Sequence, residues 1–110
     1  GSPPANLKLS GDKLIPADGV YACRSGQRLL HDAVAYIGRR PTFGAEGERR
    51  VEVHLLDRDR GLDLRGRVVR TELVERLRGD KRFASQQALV DQMARDCRRT
   101  QVVLDSLHPG

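Results

Sequence analysis

The order of patterns along the chain predicts a mainly β domain: several antiparallel strands joined by tight turns, then one C-terminal helix. Such a string of elements suits a small Greek-key barrel or a curled sheet closed by the helix. Three observations carry this expectation. Arg50–Leu56 and Arg67–Leu77 alternate with period two, as a strand with one buried face does. Turn residues punctuate the chain at Asp18-Gly19, Ser25-Gly26 and Asp63–Gly66. From Gln86 to about Leu104 the apolar period lengthens to that of a helix.

The elements follow in order. Pro3 and Pro4 forbid helix and favour an extended lead-in through Leu7. Leu14–Gly19 reads as a turn, and Val20–Cys23 as a strand. Ser25-Gly26 turns the chain, and Leu29–Ile37 returns as the second arm of a hairpin. Within that arm, Ala33–Ile37 is apolar almost throughout, as expected of a strand buried on both faces. Gly38–Gly44 is a loop carrying Arg39 and Arg40, and Ala45–Glu48 is its tip. The Arg50–Leu56 strand, a loop at Asp57–Gly61 and the Asp63–Gly66 turn lead to the Arg67–Leu77 strand, with Val69, Thr71, Leu73 and Leu77 on one face. Ser85 is a good helix N-cap. In the helix, Leu89, Met93 and Cys97 step by four with Val90 and Ala94 beside them, forming a stripe to pack on the sheet.

At 110 residues the chain fits one domain, 1–110, with one modest core. It has no apolar run of the roughly 18 residues a membrane helix needs and no signal-peptide pattern, so it reads as non-membrane and cytoplasmic. Cys23 and Cys97 lie far apart in the chain and match no metal spacing, as expected of small apolar residues in a reducing compartment. A net charge of +5 invites a polyanion or a phosphorylated small molecule. Nucleic acid is the weaker of the two. The chain has only two Tyr, two Phe and no Trp, too few for a stacking platform.

Glu52 stands out. It sits mid-strand between Val51 and Val53, with His54 on the same side. A carboxylate on a rigid strand is held as a general base must be, although most strand glutamates simply face water.

Six blocks in order carry a family likeness: PADGVYA at Pro16–Ala22, YIGRRPTFG at Tyr36–Gly44, VEVHLLD at Val51–Asp57, DLRG at Asp63–Gly66, LRGDKRFAS at Leu77–Ser85 and LVDQMARD at Leu89–Asp96. Together they resemble the riboflavin kinase domain, most of all the kinase module of bacterial bifunctional riboflavin kinase/FAD synthetase. The likeness implies a six-stranded Greek-key barrel with a C-terminal helix. It implies transfer of the ATP γ-phosphoryl group to the riboflavin 5′-hydroxyl, giving FMN and ADP, with Mg2+. By the same likeness Glu52 is the general base, Asn6 holds metal and ATP phosphates, and Arg78 and Asp96 lie on the flavin side. An adenylyltransferase module is the partner it suggests.

The departures from the family pattern are specific. Its G-x-P-T-A-N motif corresponds here to Gly1–Asn6, with Asn6 kept and Pro4 in place of the metal-binding threonine. A proline has no hydroxyl to offer. Arg65 replaces the tyrosine of D-x-Y-G. The family's first strand and phosphate-cradling loop would precede Gly1, so the likeness implies an N-terminally truncated domain with an open sheet edge. Weak or absent turnover is the expectation for such a chain. The alternative is an impaired flavin- or nucleotide-binding or docking module on the same fold.

Overall fold

The computed structural model describes residues 5–7, 16–39, 49–56 and 70–107. Expectations resting on Pro4, Arg40, Phe43, the Asp57–Gly61 loop and the Asp63–Gly66 turn, with Arg65, lie outside them. Five strands, β1 (Ala5–Leu7), β2 (Gly19–Gly26), β3 (His31–Arg39), β4 (Arg49–Leu55) and β5 (Arg70–Arg78), precede one helix, α1 (Gln86–Ser106). The strands form one antiparallel sheet in the order β1–β4–β3–β2–β5. The protein is therefore mainly antiparallel β with a C-terminal helix, as the patterns predict.

Period-two alternation gives the central strands two buried faces. On one side Tyr21, Cys23, Ala33, Ala35, Ile37, Val51 and Val53 form an apolar cluster. On the other, Val20, Ala22, Val34 and Leu77 pack against Leu104 of α1, with Tyr36, Cys97 and Val103 at the margin. Each fully buried Val or Leu contributes about 1.5–3 kcal/mol. Burial pushes the Cys23 thiol up to about 12, and both cysteines are free.

Three sequence expectations are corrected. β2 does not turn at Ser25-Gly26 but runs through it. Ser25 is fully buried, and its hydroxyl shares a 2.8 Å hydrogen bond with that of Thr71 on β5, so a turn-like residue is satisfied inside the sheet. The reversal follows at 27–30, and Gly26 permits it: a Cβ there would run into the Leu29 carbonyl. The second arm accordingly starts at His31.

β5 does not keep Thr71, Leu73 and Leu77 on one face. Its pairing with β2 shifts register between Val20 and Tyr21 and again between Ala22 and Cys23. Such irregularities break strict alternation. Leu73 and Thr71 pair with Cys23 and Ser25, residues of the face away from α1, whereas Leu77 packs under α1.

In α1 the buried line is Asp96, Thr100 and Leu104, while Val90 and Ala94 are exposed. The embedded stripe is thus rotated from the expected one and has polar residues at its centre. Ser85 does cap the helix, its hydroxyl accepting from the Ala88 N–H at 3.1 Å. Arg99 donates to the Leu77 carbonyl at 2.8 Å and Gln101 to Asp32 at 3.3 Å, tying the helix to β5 and β3.

Candidate functional site

Residues directly opposite on neighbouring strands share a face of the sheet. One transverse row therefore crosses all five strands: Arg78 on β5 opposite Val20 on β2, Val20 opposite Tyr36 on β3, Tyr36 opposite Glu52 on β4, and Glu52 opposite Asn6 on β1. Its face is the one that α1 covers only in part, because Val20, Tyr36 and Leu77 of that face meet the helix. Three of the four expected site residues, Asn6, Glu52 and Arg78, occupy register positions in this row. The fourth, Asp96, comes down onto it from α1.

Where α1 leaves the row uncovered there is a cleft of about 360 Å³. Val20 and Leu89 supply apolar walls, and Tyr36, Glu52 and Arg78 supply polar ones. Arg39, Arg50, Lys81 and Arg82 surround them, with Asp80 the second acid after Glu52. Basic side chains outnumber acidic ones in this lining, so the cleft favours an anionic ligand. Gly19 and Gly38 let the walls close up. A Cβ at Gly19 would stand 2.7 Å from the Arg78 carbonyl, and one at Gly38 would stand 2.9 Å from the Asp80 carboxylate.

At the β5 end a polar network fixes Arg78. Its Nε and Nη2 donate to the two Asp96 oxygens at 2.9 and 2.8 Å, and its Nη1 donates to the Gly79 carbonyl at 3.1 Å. Its guanidinium lies 5.9 Å from the centre of the Phe83 ring, and the Lys81 ammonium 5.6 Å from that same centre. Gln92 and the Tyr36 hydroxyl also donate to Asp96, at 3.0 and 3.4 Å. Burial pulls the Asp96 carboxyl upward, but the hydrogen bonds from Arg78, Gln92 and Tyr36 outweigh it and hold the group below the ordinary range. The bond to Asp96 raises Arg78 further. Tyr36 is pushed well above the usual phenol, first by burial and then by the Asp96 charge.

At the β4 end His54 stands on the Glu52 side of its strand and meets the Tyr36 ring edge-on, with centroids 6.0 Å apart. Burial holds its imidazole below the usual value, against the opposing pull of Glu52. The sequence pattern left Tyr36 inside an apolar run and gave Lys81 and Arg82 no role. The signal for Tyr36 was its position: counting by twos, it falls on the same face as Val34, opposite the strand that carries Glu52.

A small antiparallel β domain with one helix and a basic cleft around a strand carboxylate is the class that fold and site define. Comparison with known proteins places it further. The family model described as "Flavokinase: Riboflavin kinase" matches residues 1–104. The chain belongs to the riboflavin kinase family. It is similar to the bifunctional riboflavin kinase/FMN adenylyltransferase of Escherichia coli K12, with 41% identity over 99 residues, 87% of this chain and 30% of that protein. The Pseudomonas fluorescens protein of that description is 39% identical over 92 residues, 81% of this chain and 28% of its own length. The chain thus spans about 30% of the length of the curated relatives it matches. A crystal structure described as a macrolide-efflux protein from Streptococcus pneumoniae superposes with a TM-score of 0.77 at 37% identity, over 90% of this chain and 32% of that one.

Proposed function

We propose that this chain phosphorylates the 5′-hydroxyl of riboflavin with ATP, giving FMN and ADP. The observation that carries the reading is the row across the sheet, which sets Glu52 at a basic cleft in a line whose two ends are Asn6 and Arg78. An alcohol is a poor nucleophile. Glu52 accepts the 5′-hydroxyl proton as the oxygen bonds to the γ-phosphorus and ADP departs with the electrons of the broken P–O bond. The basic lining neutralises the charge that spreads over the phosphoryl oxygens. Arg78 lies on the flavin side, where Val20 and Leu89 offer apolar surface to a planar ring.

The family implies Mg2+. Magnesium is bound largely through substrate phosphates, and Asn6, the residue the family likeness names for metal and phosphates, would help hold it opposite Glu52 in the row. When bound, it supplies charge neutralisation across the phosphates.

The finer architecture is a six-stranded Greek-key barrel. The β4–β3–β2–β5 order supports it, because β2, β3 and β4 are consecutive neighbours and the fourth strand, β5, returns beside β2. The chain works in the cytoplasm beside an FMN-adenylylating module, a reading supported by its bifunctional relatives. Among the described residues no helix is long and apolar enough to cross a membrane. A second reading, a flavin-binding module with impaired turnover, is favoured by Pro4, which supplies no hydroxyl for the metal.

The test is chromatography for FMN after incubation with riboflavin, ATP and magnesium, with Glu52→Gln run in parallel. FMN from the wild-type chain alone supports the kinase. Riboflavin binding with no FMN from either selects the binding module.

A further inference from the structure

We propose that Asp96 is a positioning residue: it holds the Arg78 guanidinium in one orientation at the cleft wall, and Arg78 alone of the pair contacts the flavin. This rests on the flavin kinase reading and assigns the two residues different tasks.

Asp96 is 3% exposed and does not line the cleft, whereas Arg78 does. Its carboxylate has about four acceptor sites, and Arg78 Nε, Arg78 Nη2, Gln92 Nε2 and Tyr36 OH all donate to it. It has nothing left to offer a ligand. Arg78 is held in its plane by the two-pronged bond to Asp96, at one tip by the Gly79 carbonyl and on one side by Phe83. Three of its N–H groups are used in these bonds, and a guanidinium has five. The remaining N–H groups sit on the Nη atoms.

Two consequences follow. A side chain already ordered in the free protein loses less freedom on binding, worth roughly 2- to 12-fold in affinity. An arginine paired with a carboxylate has much of its charge offset, so it is better suited to the neutral carbonyl and ring-nitrogen acceptors of a flavin than to a phosphate. The network therefore tunes flavin affinity and leaves nucleotide affinity to the other basic residues of the cleft.

The test is equilibrium titration of the full chain, following flavin fluorescence for riboflavin and calorimetry for Mg-ATP. Asp96→Asn should weaken riboflavin about 2- to 12-fold and leave Mg-ATP within about twofold. The double variant Arg78→Ala with Asp96→Asn should bind riboflavin no worse than Arg78→Ala alone, because the two act as one unit. In nitrogen-detected NMR the Arg78 Nε–H resonance should exchange slowly in the wild type and broaden in Asp96→Asn. Asp91→Asn, on the exposed side of α1, is the charge control. Unchanged riboflavin affinity in Asp96→Asn, equal weakening of riboflavin and Mg-ATP, or factors that multiply in the double variant would each overturn the proposal. If Asp96→Asn does not fold, Gln92→Leu removes one bond to the same carboxylate; about 2- to 4-fold weaker riboflavin binding alone supports the role, and no change overturns it. A wild-type chain that fails to bind riboflavin overturns the kinase reading and this proposal together. Binding that is indifferent to Asp96 overturns only the positioning role.

Discussion

The two faces of the sheet are built from alternate residues of the same strands, yet they do different things. On the face away from α1, Tyr21, Cys23, Ala33, Ala35, Ile37, Val51 and Val53 make an uninterrupted apolar cluster. On the other, the apolar patch of Val20, Ala22, Val34, Leu77 and Leu104 gives way at its edge to Tyr36, Glu52, Arg78 and the buried Asp96. Neighbours in sequence are therefore separated in role. Val51 and Val53 hold β4 in the sheet, and Glu52 between them faces the cleft. A rigid strand anchored from behind keeps a side chain in place at its front, which is what a positioned base requires.

Substitutions can break this division. The largest effect is expected at Glu52: Glu52→Gln should lower FMN formation by about 10²- to 10⁴-fold, with the midpoint of thermal unfolding almost unmoved. Asp96→Ala comes next, and on the cleft face it removes a contact that serves stability. It leaves the Arg78 guanidinium, only 18% exposed, without its carboxylate. Loss of one partner of a buried pair costs about 3–5 kcal/mol, so chemical denaturation should show destabilisation at the lower end of that range. Val53→Ala should cost about 2 kcal/mol in the same experiment while activity per folded molecule is kept.

The pH dependence sharpens the contrast, since the titrating groups lie on the cleft face. Asp96 is more acidic folded than unfolded, so its stabilisation is complete above the unfolded carboxyl value of 3.8 and is lost as pH falls through the lower folded one. His54 is also held below its unfolded value, here because burial disfavours the cation. Its contribution is complete above 6.5 and declines as pH falls below that. Denaturation series should show a shallow loss beginning below neutrality that His54→Phe removes, and a second, strongly acidic loss that Asp96→Asn removes. The smallest effect is expected at Ser25→Ala, about 1 kcal/mol, from the lost bond to Thr71.

Sequence patterns reveal what repeats and hide what is settled by a distant partner. β4 was legible because Val51, Glu52, Val53 and His54 alternate without interruption, and α1 because Ser85 opens a long amphipathic run. Ser25 looked like a turn because its partner, Thr71, lies 46 residues away. The β5 register shifts leave no mark in composition, so Leu77 and Leu73 seemed to share a face. The likeness puts Asp96 on the flavin side, but nothing local in the sequence shows that Arg78, Gln92 and Tyr36 will satisfy it. The likeness to a known family named Glu52, Asn6, Arg78 and Asp96 together. Only the strand order shows that the first three stand in one row, and only the packing of α1 shows that the fourth reaches that row by way of the third.

The central claim is that one strand carries stability on one side and chemistry on the other. It is tested most directly by the initial rate of FMN formation, per folded molecule, in wild type, Glu52→Gln and Val53→Ala side by side. The account predicts a rate for Val53→Ala within about threefold of wild type and a loss of two orders of magnitude or more for Glu52→Gln at unchanged fold. Comparable rates in wild type and Glu52→Gln would contradict it, because the cleft carboxylate would then take no part in the reaction.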